Sequence, residues 1–229
     1  MAKFAVRLKA LALAALALCA AHPAAALTTM SISSFDAGWY RNDGSHNTAN
    51  TNIIAGTTSR GSYRNFFAFD LSGVSGKVTS ASLSIASNGR YQSFGGSADY
   101  TISQVSTSVS SLVGGTGGTA AYTDLGDGTV YGTTTVATPG NRTRTMPTVT
   151  MVLNNALSDL TAAQGSQIAF GGSTGANPYL WGFSSGASAA TLTVQFDPSI
   201  VLPIPAPIVL LLTAFGAMAF AGRRRTTAV

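Results

Sequence analysis

The sequence predicts an all-β fold: an antiparallel β-sandwich, jelly-roll-like, flanked by an N-terminal signal helix and a C-terminal transmembrane helix. Three observations carry that expectation. Residues 27–202 hold 26 Ser, 25 Thr and 23 Gly, which lowers helix propensity nearly throughout. Apolar and polar residues alternate at period two in several short runs, the pattern of half-buried strands. Gly-rich breaks separate these runs, and many short strands joined by turns must close two sheets over one core. Less than about a tenth of this segment is expected to be helical, against roughly one-third in an average domain.

In chain order, residues 1–26 read as a secretory signal peptide. Lys3, Arg7 and Lys9 form a positive n-region, twelve apolar residues follow from Ala10 to Ala21, and His22-Pro23 breaks the run. Ala24 and Ala26 put small side chains at the two positions a signal peptidase inspects, so cleavage is expected before Leu27. Cys19 is the sole cysteine and follows bulky Leu18, where a lipoprotein signal needs a small residue. It is therefore discarded with the peptide. The mature protein then has neither disulfides nor a Cys nucleophile, although export would permit disulfides.

One sandwich domain follows over residues 27–199, long enough for a real core. Its clearest strands are Ala81-Ser82-Leu83-Ser84-Ile85 and Leu192-Thr193-Val194-Gln195-Phe196, with looser alternation over 149–153. Further strands are expected at 28–35, 64–71, 100–106, 130–136, 168–171 and 179–183. Breaks fall at 72–76, 95–96, 114–118, 126–128 and 171–172, each with at least two glycines. Only 155–163 has helical character, about two turns, and no repeat of solenoid length is present.

The last segment, 200–229, opens with Pro203, Pro205 and Pro207, which disfavour a straight helix. Fifteen uncharged residues then run from Ile208 to Gly222, and Arg223-Arg224-Arg225 follows. As a helix that run spans about 22 Å, short of the roughly 30 Å hydrocarbon core. The arginines should stay cytoplasmic, which leaves the central domain outside. The order Leu202-Pro203-Ile204-Pro205-Ala206, apolar helix, arginine cluster resembles the PEP-CTERM class of bacterial sorting signals. It is most similar to the variant reading Val-Pro-Leu-Pro-Ala, from which it departs at the first and third positions. The resemblance implies an exosortase-type membrane transpeptidase as partner, in an envelope-bearing bacterium that makes exopolysaccharide. It also implies an exported protein at the cell envelope or outer surface, anchored by the C-terminal helix before processing.

A second resemblance lies in the sandwich. Arg64-Asn65-Phe66-Phe67-Ala68-Phe69-Asp70-Leu71-Ser72, a Gly loop, and Val78-Thr79-Ser80-Ala81-Ser82-Leu83 are similar to the core strand pair of DNRLRE-type extracellular modules. That similarity implies a sandwich like those of carbohydrate-binding modules, some of which bind polysaccharide. It carries no binding residue over, because the chain after Tyr100 departs from the pattern.

Composition narrows the chemistry. The formal net charge of +5 belongs to the two ends, for 27–202 holds seven basic residues against all eight Asp. No basic face for nucleic acid results. Glu is absent, and the close Asp pairs, Asp36/Asp43 and Asp124/Asp127, sit in Gly-containing loops where Asp serves turns. His46, the one mature histidine, lies in a polar loop and cannot make a His-based metal site. No catalytic residue and no cofactor is expected. Calcium is the one metal the composition admits, with Asp124-Leu125-Gly126-Asp127-Gly128 and Asn42-Asp43-Gly44 as candidate loops. Among the aromatics that flank loop signals (Trp39, Tyr40, Tyr91, Tyr179, Trp181), Trp39, Tyr40 and Trp181 are the candidate ligand contacts, because sugar rings stack on flat side chains. The expected function is a non-catalytic surface or matrix protein associated with exopolysaccharide. A purely structural, self-assembling envelope protein and, less favoured, a glycan-active enzyme are the alternatives.

Overall fold

The computed structural model describes residues 26–86, 96–138, 148–175, 179–181 and 189–198. Strands β1 (Thr28–Ser33), β2 (Asp36–Arg41), β3 (Gly56–Thr58), β4 (Gly61–Asp70), β5 (Lys77–Ile85) and β6 (Gly96–Gln104) lead into helices α1 (Val109–Val113) and α2 (Gly118–Asp127). Strands β7 (Val130–Thr138) and β8 (Val149–Val152) follow, then a 3-10 turn (Asn154–Ala156), α3 (Leu157–Ala162), β9 (Gln167–Ser173) and β10 (Ala190–Asp197). The strands make two antiparallel sheets, one in the order β1-β10-β5-β8, the other β2-β4-β9-β6-β7 with β3 also on β4.

Period-two alternation builds the core between them. Along β10, Ala190, Leu192, Val194 and Phe196 are buried while Thr191, Thr193 and Gln195 point out. Leu192 lies opposite Leu83 and Val194 opposite Ala81 on β5. These side chains pack against Phe67, Phe69, Tyr131 and Phe170 of the other sheet.

Strand β4 reads differently, with Phe66, Phe67, Ala68 and Phe69 all buried. A continuous apolar run marks a strand covered on both faces. Phe67 and Phe69 enter the core between the sheets. Phe66 faces the other way, into a second cluster with Tyr40, Leu112, Ala121, Leu125 and Ala169 beneath α1 and α2.

Those two helices, added to the expected one near 155–163, bring the helical share to 17% of the described residues, above the expected tenth. Ala121 and Leu125, one turn apart, seat α2 on the sheet despite glycines at 117, 118 and 126. Packing of an apolar face here outweighs weak propensity. A Cβ at Gly126 would press on the Arg64 guanidinium at 2.8 Å and push that side chain aside.

The run 28–35, expected as one strand, breaks at Ser34. There the Ser34 N–H donates to Ala190 O at 2.8 Å and the Phe35 N–H to Ala68 O at 2.9 Å, so the chain crosses between sheets and β2 begins. The strand expected at 179–183 is only a bridge between Leu180 and Ala55 where it is described. The two strands of the DNRLRE-like stretch, β4 and β5, are not a hydrogen-bonded pair: they lie in different sheets and meet across the core. Asp70 opens the turn after β4, accepting from the Ser72 N–H at 2.9 Å.

Among the described residues no helix is long and apolar enough to cross a membrane. Ala26 is described and exposed. Ala24 with the rest of the signal segment, Tyr91, and the sorting motif from Leu202 to Arg225 lie outside the described residues.

Candidate functional site

Two of the three candidate aromatic contacts are core residues. Tyr40 is fully buried on β2, its hydroxyl shared between the carbonyls of Ser111 at 2.9 Å and Leu112 at 3.0 Å. Trp181 is fully buried too, edge-on to Tyr100 with ring centroids 4.7 Å apart. Its backbone has φ of 54°, and its indole N–H has no partner among the described residues. Neither ring has a face for a sugar, and flanking glycines or asparagines gave no hint of that burial.

Trp39 is the one left at the surface. It is half-buried, edge-on to Tyr63 at 5.1 Å, and packed with Ile54 and Tyr179. Arg41, two residues on along β2, projects to the same side of the strand and lies opposite Tyr63 in register. The Arg41 guanidinium holds Asp43 with two bonds, one of them Nε to Oδ1 at 3.0 Å. Asp43 also accepts from the Ser45 N–H at 3.0 Å and the Ser45 hydroxyl at 2.6 Å. The Arg41 bonds first, then those of Ser45, hold its carboxyl well below the ordinary carboxylate range. The result is an indole flanked by a fixed, net-neutral fork of donors and acceptors. Such a group can stack the apolar face of a sugar ring and hydrogen-bond its hydroxyls.

A buried polar chain holds the floor of this site. Asn65 Nδ2 donates to Ile53 O at 2.7 Å, and the Tyr100 hydroxyl donates to Asn65 Oδ1 at 2.7 Å. Burial pushes the Tyr100 phenol far up, so it stays a donor. A Cβ at Gly172 would fall 1.9 Å from the Tyr100 oxygen, so only glycine fits beside the pair. The chain fixes the 53–55 segment on which Trp39 rests.

His46 is not a free loop residue. Its ring stacks on Tyr40 at 4.7 Å with an interplanar angle of 14°, and Nδ1 lies 2.5 Å from Trp39 O. Because that carbonyl only accepts, Nδ1 carries the proton. The ring fills the space above Gly38 and Gly115, where added Cβ atoms would meet it at 3.0 and 2.9 Å.

The candidate calcium loops are also placed otherwise. Asp124 and Asp127 lie on α2, not in a Gly loop. Asp124 accepts from Ser106 and Thr107 N–H groups at 3.0 and 2.7 Å and from the Ser106 hydroxyl at 2.7 Å. Burial raises its carboxyl, but these bonds outweigh it and leave the group below its ordinary value. In Asn42-Asp43-Gly44, Asp43 is taken by Arg41 and Ser45. Among the described residues no three His, Cys, Asp or Glu side chains gather as a metal site. The pair Asp36/Asp43 is likewise split, for Asp36 Oδ1 accepts from the Ala37 N–H at 2.7 Å.

The outer face of the β1-β10-β5-β8 sheet went unread as a unit. In register, Ser31, Thr193, Ser82 and the exposed Val152 form one row across it, and Ser33, Thr191, Ser84 and Thr150 the next. Thr29, Gln195 and Ser80 form a third row. Hydroxyl contacts link neighbours, Ser84 to Thr150 at 2.7 Å and Ser31 to Thr193 at 3.3 Å. A shallow open depression of about 280 Å³ crosses it. These rows contain no charge. The signal lay in the polar half of each alternating strand.

No protein-family model matches the chain, and no curated protein is significantly similar to it.

Proposed function

We propose that this chain is an exported, non-catalytic surface or matrix protein that associates with exopolysaccharide after processing by an exosortase-type enzyme. The single observation that carries the polysaccharide reading is Trp39, a half-exposed indole beside the locked Arg41–Asp43 pair. The uncharged rows of this sheet add surface for a neutral polymer, bounded at one end by the Asp197–Lys77 pair. The strand order, with β1 beside β10 and β4 beside β9, supports the jelly-roll reading. Absence of turnover is favoured because Asp43 and Asp124 are held below the ordinary carboxylate range, whereas a general acid needs its pKa raised.

Export and anchoring rest on the two end segments. Mass measurement of the protein recovered from its cells tests processing: cleavage after Ala26 and loss of Arg223 to Arg225 are expected. Retention of those arginines leaves a plain membrane anchor. Retention on immobilised exopolysaccharide tests binding. Loss on Trp39→Ala with an unchanged unfolding midpoint supports the reading, and unchanged retention overturns Trp39 as the contact.

A further inference from the structure

Asp43 is held from two directions. Within its own loop it accepts the Ser45 N–H at 3.0 Å and the Ser45 hydroxyl at 2.6 Å. Backbone bonds close that loop, Arg41 N–H to Ser45 O at 2.9 Å and Gly44 N–H to Arg41 O at 2.8 Å. Gly44 has φ of 84°, and a Cβ there would fall 2.6 Å from the Thr119 nitrogen, so the turn is seated on the start of α2. Toward the strand, Asp43 takes Nε and one terminal nitrogen of Arg41. The Arg41 stem lies against Gly61, where an added Cβ would meet its Cδ at 3.1 Å. The loop therefore fixes Asp43 whether or not Arg41 has a further partner.

Charge then decides what can lie on Trp39. Both members of the pair reach solvent, with Arg41 29% and Asp43 53% exposed. An arginine fork is ordinarily the group that takes a carboxylate, two bonds at a time. Here the chain's own carboxylate fills it. Of the five N–H donors of Arg41, Asp43 occupies two, so donors remain for sugar hydroxyls. A polymer carboxylate aimed at those donors would come to rest beside the Asp43 charge, and such like-charge contacts are costly. Arg60, in the turn between β3 and β4, is exposed and has no ion pair among the described residues. Solvent and salt screen a lone cation of that kind. Residues 27–202 carry seven basic side chains against eight Asp, so the domain has no positive field to draw in an acidic polymer.

We infer that Asp43 sets the specificity of the Trp39 site: by filling the Arg41 fork it admits neutral sugar residues and turns uronic-acid residues away. The inference rests on the reading of Trp39 as a polysaccharide contact and adds which polymer that contact takes.

Retention on two matched polymers tests it, a β-linked glucuronan and the same polymer with its carboxylates reduced to alcohols. The wild type should be held by the reduced polymer at every salt concentration and several-fold more weakly by the acidic one. Asp43→Asn keeps an acceptor for Ser45 and frees the fork. It should hold the glucuronan about fivefold more tightly than the wild type does, the upper worth of one exposed ion pair, and salt should erase that gain. Adding Arg41→Gln should erase it at any salt. The end segments carry the same charge in every variant, so differences between variants read the site. Equal retention of both polymers by the wild type, lost on Trp39→Ala, overturns the inference and leaves the polysaccharide reading standing. So does an Asp43→Asn chain that gains nothing on the glucuronan while the reduced polymer is still held by the wild type. The wild-type comparison needs no variant to fold. Retention of neither polymer by either protein overturns the reading and the inference together.

Discussion

Asn65 and Tyr100 form the buried bond on which the floor beneath Trp39 depends, and removing either side chain gives a calculable result. Both are fully buried, and their bond is 2.7 Å long. Tyr100→Phe leaves one orphan, Asn65 Oδ1, at about 1–3 kcal/mol. Asn65→Ala leaves two, Ile53 O and the Tyr100 hydroxyl, so the same rule gives about 2–6 kcal/mol. In the double variant only Ile53 O is stranded. The double cost should therefore fall short of the sum of the singles by about 2 kcal/mol or more. Urea unfolding at pH 7 reads this difference, since slopes of about 1–3 kcal/mol per molar make it a midpoint shift of about 1 M. Costs that add within about 0.5 kcal/mol would show that the two side chains are not joined, and the reasoning fails.

Further outcomes follow from the same structure. His46→Ala removes the ring stacked on Tyr40 and its bond to Trp39 O, and should cost about 1–3 kcal/mol in urea unfolding; a cost near zero would mean the plug carries no packing. Arg64→Ala removes donors to the Tyr122 and Thr123 carbonyls of α2, at 2.9 and 2.7 Å, and a cation over the Tyr122 ring. It should lower stability by about 1–3 kcal/mol and speed amide exchange in α2 before the sheets. Asp124 has a lowered folded pKa, so its contribution is complete above the ordinary carboxylate value of about 4 and is lost as pH falls through the folded value. Asp124→Asn should flatten the acid limb of the stability–pH curve, and an unchanged limb contradicts the Ser106–Thr107 cap.

Alternation made the sandwich legible: the expected strands at 81–85 and 192–196 lie within β5 and β10, in register with each other. What alternation could not show was a third layer. Gly117, Gly118 and Gly126 read as breaks because propensity is local, whereas α2 is held by Ala121 and Leu125 docking on a distant strand. The same layer decided the aromatics. Trp39 and Tyr40 are adjacent, but neighbours on a strand face opposite ways, and α1 covers only Tyr40. The continuous Phe66 to Phe69 run was the one sign in the sequence that both faces of β4 are covered. Trp181 offered no such sign, because the ring it meets edge-on, Tyr100, stands on β6, far from it in the sequence.

Fluorescence titration with exopolysaccharide tests the central claim most directly, because the chain has only two tryptophans and one of them, Trp181, is sealed in the core. A saturable change in emission is expected in the wild type and none in Trp39→Phe, with no reducing ends released from the polymer during the titration. Emission that ignores the polymer, an equal change in Trp39→Phe, or release of reducing ends would contradict binding without turnover at Trp39.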